Sequence, residues 1–167
     1  TTHPNPMVGA VLVKGGRVIG EGAHLIYGGP HAEVNTLRSC KVSPAGASIY
    51  VTLEPCSTQG KTPPCTDLLI KSGIKEVYYG ARDVNPAHSG RGAAILRRAG
   101  IKVTAGVLGK ECEALNPAFN KFMRTGLPYV TVKIAQSLDG RIADAAGRSR
   151  WISSPESRLE AHKLRAE

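Results

Sequence analysis

The chain has 167 residues, room for one ordinary domain and the opening of a second. It is 41% hydrophobic and 21% charged, and no apolar run reaches the length of a membrane span, which excludes a helical membrane protein. The net charge of +9 is uneven: residues 1–90 carry +2 and residues 91–167 carry +7. With aromatics at 5%, a base-stacking platform is poorly supported, so the basic excess points to phosphorylated small molecules and a solvated surface. No signal peptide is visible, although the chain begins at Thr1 without Met, and a cytoplasmic location is expected. In that setting the four cysteines, Cys40, Cys56, Cys65 and Cys112, suggest a metal site rather than disulfides.

In chain order, Pro4-Asn5-Pro6 is a stiff extended entry. Residues 7–13 read as a buried strand, Gly15-Gly16 as a two-residue turn and residues 17–20 as the returning strand of a hairpin. An entry this close to a core strand implies a domain that lacks a preceding helix. A loop ends at Gly28-Gly29-Pro30. A helix is predicted over residues 31–38, with Val34 and Leu37 on one face and His31 and Glu33 in its first turn. Then come a strand at 48–53, a polar loop, a helix at 64–72, a strand at 76–81, a helix at 93–99, a strand at 101–105 and one helix over 110–123. A hairpin followed by alternating helix and strand predicts a mixed sheet covered on both faces. Cys56 follows one strand end and Asp83 and Asn85 another, so they should meet in one cleft beyond the sheet. Gly126-Leu127-Pro128 reads as a linker, dividing the chain into domains 1–127 and 128–167. Past it, residues 129–135 alternate like a strand. Ser154-Pro155 starts a helix still running at Glu167.

The chemistry concentrates in residues 31–65. His31, Cys56 and Cys65 are three ligands of the kind a catalytic zinc takes, leaving the fourth tetrahedral position for water. A helix N-terminus keeps His31 neutral and favours the thiolates. Glu33, two residues from His31, is the proton carrier for that water. The order His-x-Glu, then Pro-Cys and a second Cys, matches the signature described for zinc deaminases. In that signature the cysteines are two residues apart; here eight residues separate them. The extra loop is polar, and Lys61 in it is the counter-charge for a phosphate. Asn5, His24, Asp83 and Asn85 sit on loops where they could contact sugar and base. A competing reading is a structural, non-catalytic zinc whose fourth ligand is Cys40, Cys112, His3, His24 or His88, none of which has a short regular spacing to the others.

The chain resembles the bifunctional riboflavin-biosynthesis deaminase–reductase family. The matching stretches are Pro4-Asn5-Pro6-Met7-Val8-Gly9-Ala10-Val11, Pro30-His31-Ala32-Glu33-Val34, Leu53-Glu54-Pro55-Cys56-Ser57, Gly60-Lys61-Thr62-Pro63-Pro64-Cys65, Asp83-Val84-Asn85-Pro86, and Ser137-Leu138-Asp139-Gly140 with Trp151-Ile152. The resemblance implies a cytidine-deaminase-like three-layer α/β/α domain, followed by the start of a dihydrofolate-reductase-like α/β domain. It implies one Zn2+ held by His31, Cys56 and Cys65, with Glu33 as proton donor. It further implies hydrolysis of a ring amine on a phosphoribosylamino diaminopyrimidinone, then reduction of the ribose to ribityl with NADPH. Asn5, His24, Lys61, Asp83 and Asn85 fall at deaminase-substrate positions. Ala135 and Trp151 fall at NADP positions, and Ser149 and Arg165 at reductase-substrate positions. Thr58 stands where the family usually has a histidine, so a shorter hydroxyl contact to substrate, directly or through water, is expected there. The partners expected are a small phosphorylated pyrimidine, with no nucleic acid and no membrane, in a homo-oligomer. The alternative is a tRNA adenosine deaminase or an RNA-binding relative of the same zinc fold, which would suit the charge but not the wide cysteine loop or the Ser-Leu-Asp-Gly segment.

Overall fold

The structure, a computed structural model, describes residues 2–86 and 88–166; the expected mid-helix end at Glu167 lies outside them. The chain divides into two compact units, Thr1–Tyr129 and Val130–Glu167.

In the first unit, β1 (Gly9–Lys14) and β2 (Arg17–Ala23) form the expected antiparallel hairpin. Its turn needs positive φ twice, and Gly15 (φ 56°) and Gly16 (φ 74°) supply it without a Cβ penalty. Then follow α1 (Ala32–Ser39), β3 (Ser48–Leu53), α2 (Cys65–Lys71), β4 (Glu76–Ala81), α3 (Arg91–Arg98) and β5 (Lys102–Ala105). The sheet order is β2-β1-β3-β4-β5; β1 is antiparallel to β2 and β3, while β3, β4 and β5 run parallel. This is the mixed sheet expected from the alternation of elements.

Alternate residues of the central strands face one side. Ala10 and Leu12, Ile49 and Val51, and Val77 meet Ala32, Leu69 and Leu96 of α1, α2 and α3 in the core. Burying a large aliphatic side chain there contributes about 1.5–3 kcal/mol. Helix α1 lies unusually close to β2: a Cβ on Gly22 would sit 2.4 Å from the Thr36 nitrogen, so only glycine allows that approach.

The single helix expected over 110–123 is two helices, α4 (Gly109–Ala114) and α5 (Pro117–Thr125). Pro117 cannot donate to the helical ladder and its ring collides with the preceding turn, so it begins a new helix instead. Helix α4 packs on β3 and β4 across the sheet from the core, where Cys112 lies against Gly80. The freed Asn116 turns to the chain start: its Oδ1 accepts the Met7 N–H (2.7 Å) and its Nδ2 donates to the Met7 carbonyl (2.8 Å).

Residues 129–135, nearly all in the second unit, are irregular and form no strand. A strand exists only when paired, and no strand among the described residues of that unit is available to pair with it. Helix α6 (Pro155–Ala166) starts as expected, with Ser154 Oγ accepting the Ser157 N–H (3.2 Å).

Candidate metal centre and substrate cleft

The carboxyl ends of β3 and β4 lie side by side, with Leu53 in register with Ala81. The loops leaving them form a cleft of about 360 Å³ beyond the sheet. His31 enters it from the N-cap position of α1, Cys56 from the loop after β3, and Cys65 as the first residue of α2.

These three residues meet. His31 Nδ1 is 3.4 Å from Cys56 Sγ and 3.3 Å from Cys65 Sγ, and all three ligand atoms lie within 4.8 Å of one another. Ligands about 2.0 Å (N) and 2.3 Å (S) from a tetrahedral zinc would be roughly 3.5 Å apart, so the donor set and its spacing fit that ion. Among the described residues no fourth His, Cys, Asp or Glu atom joins the group. The alternatives have other partners: Cys40 Sγ donates to the Ile19 carbonyl, and His24 and His88 are engaged within the cleft walls. The other imidazole nitrogen of His31, Nε2, is 3.3 Å from the Thr62 hydroxyl. With Nε2–H donating to Thr62, the Nδ1 lone pair faces the sulfurs as a ligand requires.

The electrostatics suit a cation. A hydrogen bond from the Cys65 thiol, aided by His31, holds Cys56 far below the ordinary thiol range. The same bond, with burial, pushes Cys65 up. His31 is raised, first by its hydrogen bond to Cys56. Glu33 is only 3% exposed, and burial raises its carboxyl above the ordinary 4.5.

The other cleft residues expected from sequence are all on its lining: Asn5, His24, Lys61, Asp83 and Asn85. His24, 6% exposed, has Nδ1 3.0 Å from the Pro30 carbonyl and Nε2 3.3 Å from Asn5 Nδ2. It therefore donates to the carbonyl just before His31 and accepts from the Asn5 amide. Asp83, 8% exposed, accepts the Asn85 N–H (2.8 Å), and burial raises its pKa. The Lys61 ammonium sits 4.0 Å from the Tyr27 ring centroid.

Several contributors were not foreseen. Tyr27, Phe119 and Met123 line the cleft, the last two from α5. Glu54, 4% exposed, accepts the N–H groups of Gly90 (2.9 Å) and Ala93 (3.1 Å), satisfying two orphan donors at the start of α3. An acidic residue closing a strand one step before Pro-Cys was the available signal for it. The Thr58 hydroxyl, expected to face substrate, is 3.1 Å from His88 Nδ1. Of the reductase positions, Trp151 is exposed with the Arg158 guanidinium 4.1 Å over its ring, and Arg165 lies on α6 beside His162. Ala135 and Ser149 lie on irregular segments.

Residues 1–81 match the family model described as the cytidine and deoxycytidylate deaminase zinc-binding region, which spans His31, Glu33, Cys56 and Cys65. The fold and the ligand cluster thus define a zinc-binding deaminase. Residues 128–167 match the RibD C-terminal domain. The chain belongs to the RibD family of riboflavin-biosynthesis deaminase–reductases. It is 52% identical to riboflavin biosynthesis protein RibD of Escherichia coli strain K12 over 167 residues, 100% of this chain and 46% of that protein. It is 52% identical to RibD of Bacillus amyloliquefaciens over 98% of this chain and 44% of that one. A solved diaminohydroxyphosphoribosylaminopyrimidine deaminase/5-amino-6-(5-phosphoribosylamino)uracil reductase from Thermotoga maritima superposes with a TM-score of 0.92 at 48% identity, covering 98% of this chain and 47% of that chain. The chain therefore spans less than half the length of these relatives. Among the described residues no helix is long and apolar enough to cross a membrane.

Proposed function

We propose that this chain carries out the hydrolytic deamination of 2,5-diamino-6-(5-phosphoribosylamino)pyrimidin-4(3H)-one to the corresponding aminouracil nucleotide, a step of riboflavin biosynthesis. The observation that carries this reading is the meeting of His31, Cys56 and Cys65 beside buried Glu33, in a cleft that also holds Lys61. Zinc bound by those three residues supplies a Lewis acid that makes water nucleophilic near neutral pH.

The protein's own groups do the rest. Glu33, buried within the cleft with its pKa raised by that burial, is suited to accept a proton from water and hand it on. Water oxygen bonds to the amine-bearing ring carbon. Glu33 passes the water proton to the ring nitrogen, then takes the second proton from the new carbon-bound hydroxyl and gives it to the departing amine as the carbonyl forms. The C–N bond breaks and ammonia leaves. His24 fixes the Asn5 amide and the Pro30 carbonyl, so Asn5 can hold the pyrimidine edge while His31 stays aimed at the sulfurs. Lys61 meets the phosphate, and Asp83 and Asn85 take the ribose or base from the facing loop. Family membership and the confined cleft support this small molecule over the tRNA alternative.

We assign residues 1–127 to the deaminase domain and 128–167 to the N-terminal part of a reductase domain, a division the two compact units and the two matched families support. In the full-length protein that second domain would reduce the ribose to ribityl with NADPH, Ala135 and Trp151 contacting the cofactor and Ser149 and Arg165 the substrate. The protein is assigned to the cytoplasm as a homo-oligomer.

The test is ammonia release from the diaminopyrimidinone nucleotide, combined with a metal assay on the 167-residue chain. Wild type should hold one zinc and release ammonia. Glu33→Gln should keep the zinc and lose about 10²–10⁴-fold in kcat. Undiminished turnover in that variant overturns the assignment of Glu33. No ammonia from the zinc-loaded wild type overturns the activity.

A further inference from the structure

We propose that His88 is a substrate-contacting residue: an imidazole that Thr58 holds in place and that offers Nε2–H to an oxygen of the substrate's phosphoribosyl group. This rests on the function proposed above. Both residues line the cleft, from different loops. Thr58 lies in the wide loop between the two cysteines, and His88 lies in the loop between β4 and α3. The 3.1 Å contact between Thr58 Oγ1 and His88 Nδ1 joins those loops.

The rest of the turn is fixed as well. The N–H groups of His88 and Ser89 both donate to the Asn85 carbonyl, each at 2.9 Å. Asn85 N–H in turn donates to buried Asp83. The ring is thus held by its backbone and by one of its two nitrogens. With the Thr58 hydroxyl donating to Nδ1, the neutral ring carries its proton on Nε2 and is a donor there. Among the described residues, the hydrogen bond found for the His88 ring is the one at Nδ1, and none is found at Nε2. A directional N–H in a cleft that also contains the Lys61 ammonium suits an oxygen-rich sugar phosphate. Lys61 supplies charge without direction, and His88 supplies direction.

The test has two independent readouts. In the first, ribose 5-phosphate is titrated into the 167-residue chain and the imidazole Cε1–H proton of His88 is followed by NMR, its signal assigned by its loss in His88→Gln. A saturable shift in wild type that weakens in Thr58→Val supports the proposal. A His88 signal indifferent to ribose 5-phosphate overturns it, whatever the deaminase assay gives. In the second, His88→Ala should raise KM for the nucleotide about tenfold, the effect of losing one hydrogen bond to a charged group. Its kcat and zinc content should stay close to wild type. Thr58→Val should raise KM less, and Thr58→Ser should restore it, since only the hydroxyl matters. Repeating this with the dephosphorylated substrate separates the two oxygens: a KM effect confined to the phosphorylated form assigns the contact to phosphate, and one that persists assigns it to the ribose. An unchanged KM in His88→Ala, or a kcat loss with KM unchanged, overturns substrate contact. If wild type releases no ammonia at all, the proposed activity falls while the NMR titration still decides the role of His88.

Discussion

The Thr62 hydroxyl lies 3.3 Å from Nε2 of His31, on the ring nitrogen that does not face the sulfurs. A ligand imidazole is held in tautomer and orientation by the acceptor on its second nitrogen. Thr62→Val removes that acceptor and leaves the three ligands in place. Zinc affinity should fall about 10–100-fold, measured by competition with a chelator of known affinity. Thr62→Ser should recover most of it. Equal affinity in the valine variant would mean that the sulfurs alone orient the ring.

Gly92 is packed against the segment that leads to Cys56. A Cβ there would sit 2.0 Å from the Pro55 carbonyl oxygen, a backbone atom that cannot swing aside. Gly92→Ala should therefore displace α3 or the 54–55 turn and break the Glu54 hydrogen bonds to Gly90 and Ala93. The cost expected for such overpacking is about 1–3 kcal/mol, read as a lower urea midpoint at unchanged slope. Zinc affinity should weaken in parallel, because the strained turn carries Cys56.

Lys61 is positioned by its neighbours before any substrate arrives. Its ammonium rests on the Tyr27 ring, and its stem crosses Gly28, where a Cβ would come within 3.3 Å of Lys61 Cδ. Gly28 also has φ +76°, so alanine there would be strained on both counts. Lys61→Ala should raise KM for the phosphorylated nucleotide and leave KM for its dephosphorylated form unchanged. Tyr27→Phe should behave as wild type, and Tyr27→Ala should raise KM several-fold, in line with the roughly 0.5–2 kcal/mol of a cation–π contact. An effect of Tyr27→Phe as large as that of the alanine variant would point to the phenol hydroxyl instead.

Burial raises the pKa of Asp83 above its ordinary 3.8. A carboxyl whose folded value is raised contributes stability that is fully present below its unfolded value. That contribution is lost as pH climbs through the folded value. The melting temperature of the metal-free protein should thus fall, relative to Asp83→Asn, as pH rises from the ordinary aspartate value. A difference between the two melting curves that stays constant from pH 3 to pH 7 would contradict the shift.

What the sequence made legible was local or periodic. Strands β3 and β4 were readable to the residue because short apolar runs sit between polar turns. The His-x-Glu and the two cysteines were readable because metal chemistry restricts the residue types that can serve. The break ahead of Pro117 was obscured by apolar residues that continue at helical spacing through Leu115, Phe119 and Phe122, although the proline itself forbids the longer helix. Residues 129–135 carry a strand-like alternation, but a strand needs a partner that local pattern cannot supply. Thr62, Glu54 and the Thr58–His88 pair were out of reach for a different reason. Each acts through a hydrogen bond whose other end lies about 30 or more residues away, and only the folded chain brings those ends together.

The two bonds between the Asn116 side chain and the Met7 backbone span 109 positions. They clamp the segment that delivers Asn5 to the cleft, two residues before Met7. A shortened chain ending ahead of Asn116 would keep every sheet strand and every candidate metal ligand, yet leave its own amino-terminal arm untethered. The smallest excisable piece able to grip a nucleotide is set by one amide near the close of the first unit, and lies well past the last strand.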